Sequence, residues 1–148
     1  MENMNFKSME EILLFAIKEE EDASIFYGEQ AKKTSAIELK MVWEQLSHDE
    51  LRHKAILSGL LEKMEKGEET ITFTSKDIKD YIEEEIPNRE YSEMEKAIIQ
   101  AVQNENDAFY MYRYLSTKVS NPNHSNILQT LANEELKHKQ SLLVELNP

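Results

Sequence analysis

The chain has 148 residues, with three glycines, three prolines, no cysteine and a formal net charge of −12. That length suits one domain around one sizeable core, and the missing cysteine excludes disulfides, thiolate metal sites and thiol catalysis within the chain. The acidic balance excludes wrapping a phosphate backbone, which needs clustered Lys and Arg, so no nucleic-acid partner is expected. A solvated surface that also draws cations is expected instead.

Met1 to Ser8 offers no basic stretch ahead of an apolar run, so no secretory signal is expected and cytoplasm is the expected location. The first helix is predicted from about Ser8 to Lys33, with Ser8 and Glu11 spaced as a capping box. The second runs from about Ala36 to Lys66 and stops near Gly67. Residues 67–91 read differently. Thr70-Ile71-Thr72-Phe73-Thr74 is β-branched and extended in character, Ser75 to Glu85 suits a short helix, and Pro87-Asn88 is a break. The third helix starts near Ser92, with Glu95 completing another capping box, and ends near Ser120. The fourth starts at Asn121-Pro122, a cap and first-turn pair, and runs to about Leu146. Short links between helices one and two, and three and four, predict antiparallel pairs. The expected fold is therefore all-α: a single domain over 1–148, with a hairpin at about 8–66, a long crossover at about 67–91 and a hairpin at about 92–146. No run of about 18 apolar residues occurs, so no membrane span is expected.

The hairpins repeat. At an offset of 85, Ala16, Glu20, Asp22, Ala23 and Tyr27 fall on Ala101, Glu105, Asp107, Ala108 and Tyr112. Leu46, Glu50, Leu51, His53, Lys54 and Leu57 fall on Leu131, Glu135, Leu136, His138, Lys139 and Leu142. One ungapped offset serves both blocks, as in a hairpin duplicated in tandem.

The helical stripes show where chemistry lies. They read Leu13-Ala16-Glu20-Ala23-Tyr27, then Trp43-Leu46-Glu50-His53-Leu57-Leu60, then Ile98-Ala101-Glu105-Ala108-Tyr112, then Leu128-Leu131-Glu135-His138-Leu142. In each, a carboxylate interrupts apolar positions three and four apart, where an uncompensated charge is expensive. Glu50 with His53, and Glu135 with His138, project from one helix face. A single Glu-x-x-His is commonplace on a solvated helix. Two copies on core stripes, each preceded by a glutamate one helix earlier, are not explained that way. Four buried carboxylates need four positive charges, which two divalent cations supply. Oxygen and imidazole ligands suit iron or manganese, and zinc as well. The small side chains of Ala23 and Ala108 leave space beside such ions. Tyr27 and Tyr112 read first as core and second as hydrogen-bond partners of a ligand. Asp22 and Asp107 are either surface residues or orienters of a ligand histidine. Trp43 reads as core, and His48 and His124 as solvated.

The pattern Glu-x-x-Ala…Glu-x-x-His, twice, resembles the ferritin-like superfamily of four-helix bundles. Within it the chain is similar to rubrerythrin-like proteins, on Glu20-Glu21-Asp22-Ala23-Ser24-Ile25-Phe26-Tyr27 and Asn133-Glu134-Glu135-Leu136-Lys137-His138. The likeness spans nearly the whole chain. It implies two iron ions per chain, bridged by Glu50 and Glu135, with Glu20 and Glu105 as terminal carboxylates and one histidine, His53 or His138, for each metal. Rubrerythrins also carry an iron–thiolate rubredoxin domain and a further third-helix glutamate one turn after the ligand. This chain has no cysteine and places Ala108 there. The resemblance implies an oxidoreductase that reduces hydrogen peroxide with electrons from an external, rubredoxin-like donor, and a homo-oligomer, with a dimer expected. Ferroxidase or iron-handling activity, and a non-catalytic metal-stabilised bundle, are the alternatives.

Overall fold

The computed structural model describes residues 4–64, 71–73 and 86–148. Four long helices account for most of them: α1 (Met9–Lys33), α2 (Ile37–Lys63), α3 (Glu93–Ser116) and α4 (Pro122–Leu146). Two strands, β1 (Met4–Phe6) and β2 (Ile71–Phe73), pair in a small two-stranded sheet. Contacts divide the chain into two compact units, Met4–Thr72 around α1 and α2, and Phe73–Pro148 around α3 and α4. The extended character expected around Thr70–Thr74 is met by β2, whereas β1 was not foreseen. The short helix expected over Ser75–Glu85 lies outside the described residues. No helix among the described residues is long and apolar enough to cross a membrane.

Helix starts follow the cap chemistry. Ser8 Oγ accepts from the Glu11 N–H at 3.1 Å, but Glu11 accepts from the Lys7 N–H rather than that of Ser8, so the box is shifted by one residue. The Ser92–Glu95 box is complete: Ser92 Oγ accepts from the Glu95 N–H at 3.1 Å, and Glu95 Oε1 from the Ser92 N–H at 2.9 Å. Asn121 Oδ1 accepts from the N–H groups of Asn123 and His124, with Pro122 in the first turn. Two ends fall short of expectation. At the end of α2, Met64 turns extended, so the helix closes before Gly67 is reached. α3 stops at Ser116, where Ser116 Oγ donates to the Arg113 carbonyl and Thr117 Oγ1 to that of Tyr114, a local bonding pattern that competes with further helix. Ser125 Oγ then donates to the Ser116 carbonyl at 2.8 Å, tying the start of α4 to the end of α3.

Each hairpin buries the stripe that its sequence marks. In the first, Ile12, Leu13, Ala16, Tyr27, Trp43, Leu46, Leu57 and Leu60 are buried. In the second, Ile98, Ala101, Tyr112, Leu128, Leu131 and Leu142 are. Each large apolar side chain so removed from water contributes about 1.5–3 kcal/mol. Those contributions offset the four glutamates that share the stripes. Trp43 fills the first hairpin beside Tyr27, its ring stacked at 5.6 Å, with Phe26 edge-on at 6.2 Å. Beside these rings Ser24 and Ser47 clamp α1 to α2: Ser47 Oγ donates to the Ser24 carbonyl at 2.8 Å, and Ser24 Oγ lies 3.0 Å from both the Ser47 carbonyl and Ser47 Oγ.

Candidate metal centre

Three ligand-type side chains converge inside each hairpin. α1 brings Glu20, and α2 brings Glu50 and His53 from one face, because three residues advance a helix by little less than a turn. His53 Nδ1 lies 3.2 Å from Glu20 Oε2 and 3.5 Å from Glu50 Oε1. α3 and α4 repeat the arrangement. His138 Nδ1 lies 3.4 Å from Glu105 Oε2 and 3.3 Å from Glu135 Oε1. The ligand atoms of each trio all lie within 4.8 Å of one another. Glu20, Glu50, Glu105 and Glu135 are at most 2% exposed; His53 is fully buried and His138 is 8% exposed.

This spacing suits a cation. Ligands bound to one ion at about 2.0–2.2 Å stand roughly 3–3.5 Å from one another, which is the separation found from each histidine nitrogen to its two carboxylate oxygens. All donors are oxygen or imidazole nitrogen, which fits iron, manganese or zinc and gives no soft thiolate preference. Two anions buried beside one histidine also need a positive partner to be economical, and a divalent ion per trio supplies it. The residues present therefore fit a metal in each hairpin. The six ligand positions expected from the sequence are the six that form the trios.

The surrounding residues sort less evenly. Tyr27 and Tyr112 are buried on the ligand stripes, 1% and 0% exposed. Asp22 is exposed and pairs with Lys18 at 2.9 Å, which makes it a surface residue, and Asp107 is half-buried. His48 is exposed as expected, and His124 is half-buried at the start of α4. Sequence reasoning missed the residues immediately after the ligands. Lys139 Nζ donates to Asn106 Oδ1 at 2.9 Å in a buried link, while the corresponding Lys54 lies 3.5 Å from Glu21 Oε1 near solvent. The repeat marks Lys54 and Lys139 as matching positions, but nothing in it marks one as buried.

The chain matches the Rubrerythrin family over residues 11–146. Its fold is similar to the crystal structure of a candidate ferritin-like diiron-carboxylate protein from Thermotoga maritima, with a TM-score of 0.76 and 18% identity over 99% of this chain and 97% of that one. No curated protein matches the sequence. The architecture is thus the ferritin-like one, four helices arranged as two hairpins.

Proposed function

The chain belongs to the rubrerythrin family, and we propose that its two trios hold two metal ions, iron first, with which the protein reduces hydrogen peroxide. The reading is carried by one observation: four carboxylates and two histidines, at most 8% exposed, are spaced as ligands on core stripes. Glu20, Glu50 and His53 in the first hairpin, and Glu105, Glu135 and His138 in the second, are the residues that would hold the ions.

Two iron(II) ions, when bound, supply one electron each, the two that convert hydrogen peroxide and two protons to two water molecules. The chain's own residues do the rest. The glutamates would neutralise the ions, and the two imidazoles would complete the oxygen and nitrogen donor set. The apolar residues on the same stripes, Leu13, Leu46, Leu57, Leu131 and Leu142, exclude bulk water. In this reading the returning electrons come from a rubredoxin-like carrier, since these 148 residues contain no cysteine to hold an electron-transfer iron.

Stopped-flow absorbance of the reduced, iron-loaded protein tests the reading. Oxidation should be faster with hydrogen peroxide than with oxygen at equal concentration, and repeated turnover should require an added reductase and carrier. Faster oxidation by oxygen with iron accumulating beyond two per chain would replace this reading with ferroxidase activity. No oxidation by either would make the metals structural.

A further inference from the structure

The repeat at 85 also duplicates a groove between the two helices of each hairpin. In the first hairpin an open groove of about 390 Å³ is lined by Gly28, Lys32, Lys40, Glu44, Ser47 and His48. In the second a groove of about 410 Å³ is lined by Phe109, Arg113, Thr117, Gln129, Asn133 and Leu136, with Ala132 beneath them. Gly28, Lys32, Glu44, Ser47 and His48 fall on Arg113, Thr117, Gln129, Ala132 and Asn133. The hollow therefore belongs to the way such a hairpin packs, and only its lining is specific. That lining has diverged. The first groove mixes exposed Lys32, Lys40, Glu44 and His48, and its Ser47 is engaged with Ser24 across the helices. At the positions of Ser24 and Ser47 the second hairpin has Phe109 and Ala132, so carbon replaces the hydroxyl clamp. Neutral Thr117, Gln129 and Asn133 replace the lysine, glutamate and histidine. Arg113 is left as the one charged residue in the lining. Its Cζ stands 5.9 Å from the centre of the Phe109 ring, and its guanidinium has no carboxylate partner among the described residues.

We propose that the α3–α4 groove binds a small aromatic monocarboxylate, with the carboxylate held by Arg113 and the ring laid on Phe109 and Leu136. Sites for small molecules are hollows of about 300–1,000 Å³ with apolar walls and a few polar groups that fix orientation, and this groove has that size and that mix. The planar guanidinium presents its N–H groups as a fork that matches both oxygens of a carboxylate. Phe109, Leu136 and Ala132 offer an apolar body its contact surface, and the amides of Gln129 and Asn133 stand ready for further polar atoms. The charge of the ligand follows from the lining and from the chain. One arginine neutralises one negative charge, while the net charge of −12 repels a polyanion. The first groove, with two lysines, a glutamate and no aromatic residue in its lining, is not such a site. Nothing in this binding calls on the metal trios, so it stands or falls apart from the peroxide reading.

Naphthylacetate is the probe, titrated by calorimetry into the protein in chelator and, anaerobically, into the iron(II)-loaded protein. Saturable binding at one site per chain is expected in both. Naphthylacetamide, which lacks the charge, and acetate, which lacks the ring, should each bind about tenfold or more weaker. That comparison needs no variant. Arg113 is exposed in the last turn of α3, so Arg113→Met should melt with wild type, and it should weaken naphthylacetate binding by about tenfold or more. Arg113→Lys keeps the charge without the fork and should fall between the two. Lys32→Met, in the first groove, should change the affinity by no more than about twofold. Equal affinity for the acid and the amide would overturn the proposal, as would an Arg113→Met protein that binds like wild type. Binding seen only with iron present would place the carboxylate on the metal and overturn it too. A wild type that binds no naphthylacetate, with a self-association that Arg113→Met abolishes in sedimentation, would give the groove to a second copy of the chain instead.

Discussion

Replacing Glu135 by leucine should change stability in opposite directions with and without metal. Glu135 is fully buried on the α4 stripe, between Leu131 and Leu142, with Oε1 3.3 Å from His138 Nδ1. Holding a carboxylate there without a cation costs several kcal/mol after relaxation, and an apolar side chain of similar volume removes that cost. Metal-free Glu135→Leu should therefore be about 1–4 kcal/mol more stable than wild type. For a chain of this size each kcal/mol moves Tm by about 2–4 °C, so a rise of several degrees is expected. With metal the order inverts. At a free metal concentration about a hundredfold above Kd the wild type gains about 2.7 kcal/mol, whereas the variant has lost a ligand and gains little. Thermal melts by circular dichroism, in chelator and in anaerobic iron(II), measure all four values. A variant that melts below wild type in chelator yet keeps the full metal increment would refute both the burial cost and the ligand assignment.

Two further predictions concern the scaffold. The Arg89 guanidinium, 2.9 Å from Glu95, together with the Ser92 N–H, holds the Glu95 carboxyl down to about 2 from 4.5. A depressed carboxyl stabilises the fold above its unfolded value and loses that contribution as pH falls through its folded one. The Tm advantage of wild type over Glu95→Gln should thus be full at neutral pH and shrink between about pH 4.5 and 2, and a pH-independent difference would contradict this. Ser24→Ala and Ser47→Ala should each cost about 1 kcal/mol by denaturant unfolding, and the double variant less than their sum, because the two hydroxyls serve one reciprocal clamp. Strict additivity would show that the clamp does not act as a unit.

The sequence by itself determined what depends on neighbours within a turn or two. Periodicity placed the four helices, cap residues placed three of their starts, and the spacing of three put Glu50 with His53 and Glu135 with His138 on shared faces. The repeat at 85 added the partner glutamates Glu20 and Glu105, since a charge recurring on two core stripes needs a common reason. Tertiary structure decided what depends on distance between helices and on cover from water. Only the packed hairpins bring Glu20 of α1 to 3.2 Å from His53 of α2, and Glu105 of α3 to 3.4 Å from His138 of α4. β1 was illegible because three residues carry too little pattern and its partner, β2, lies more than sixty positions away. The endings of α2 and α3 escaped because a helix end answers to local hydroxyl bonding and chain exit as much as to the next glycine or proline. Lys54 and Lys139 look alike in the sequence. One is solvated and the other buried, because burial is a property of everything packed around a side chain and not of its neighbours in sequence.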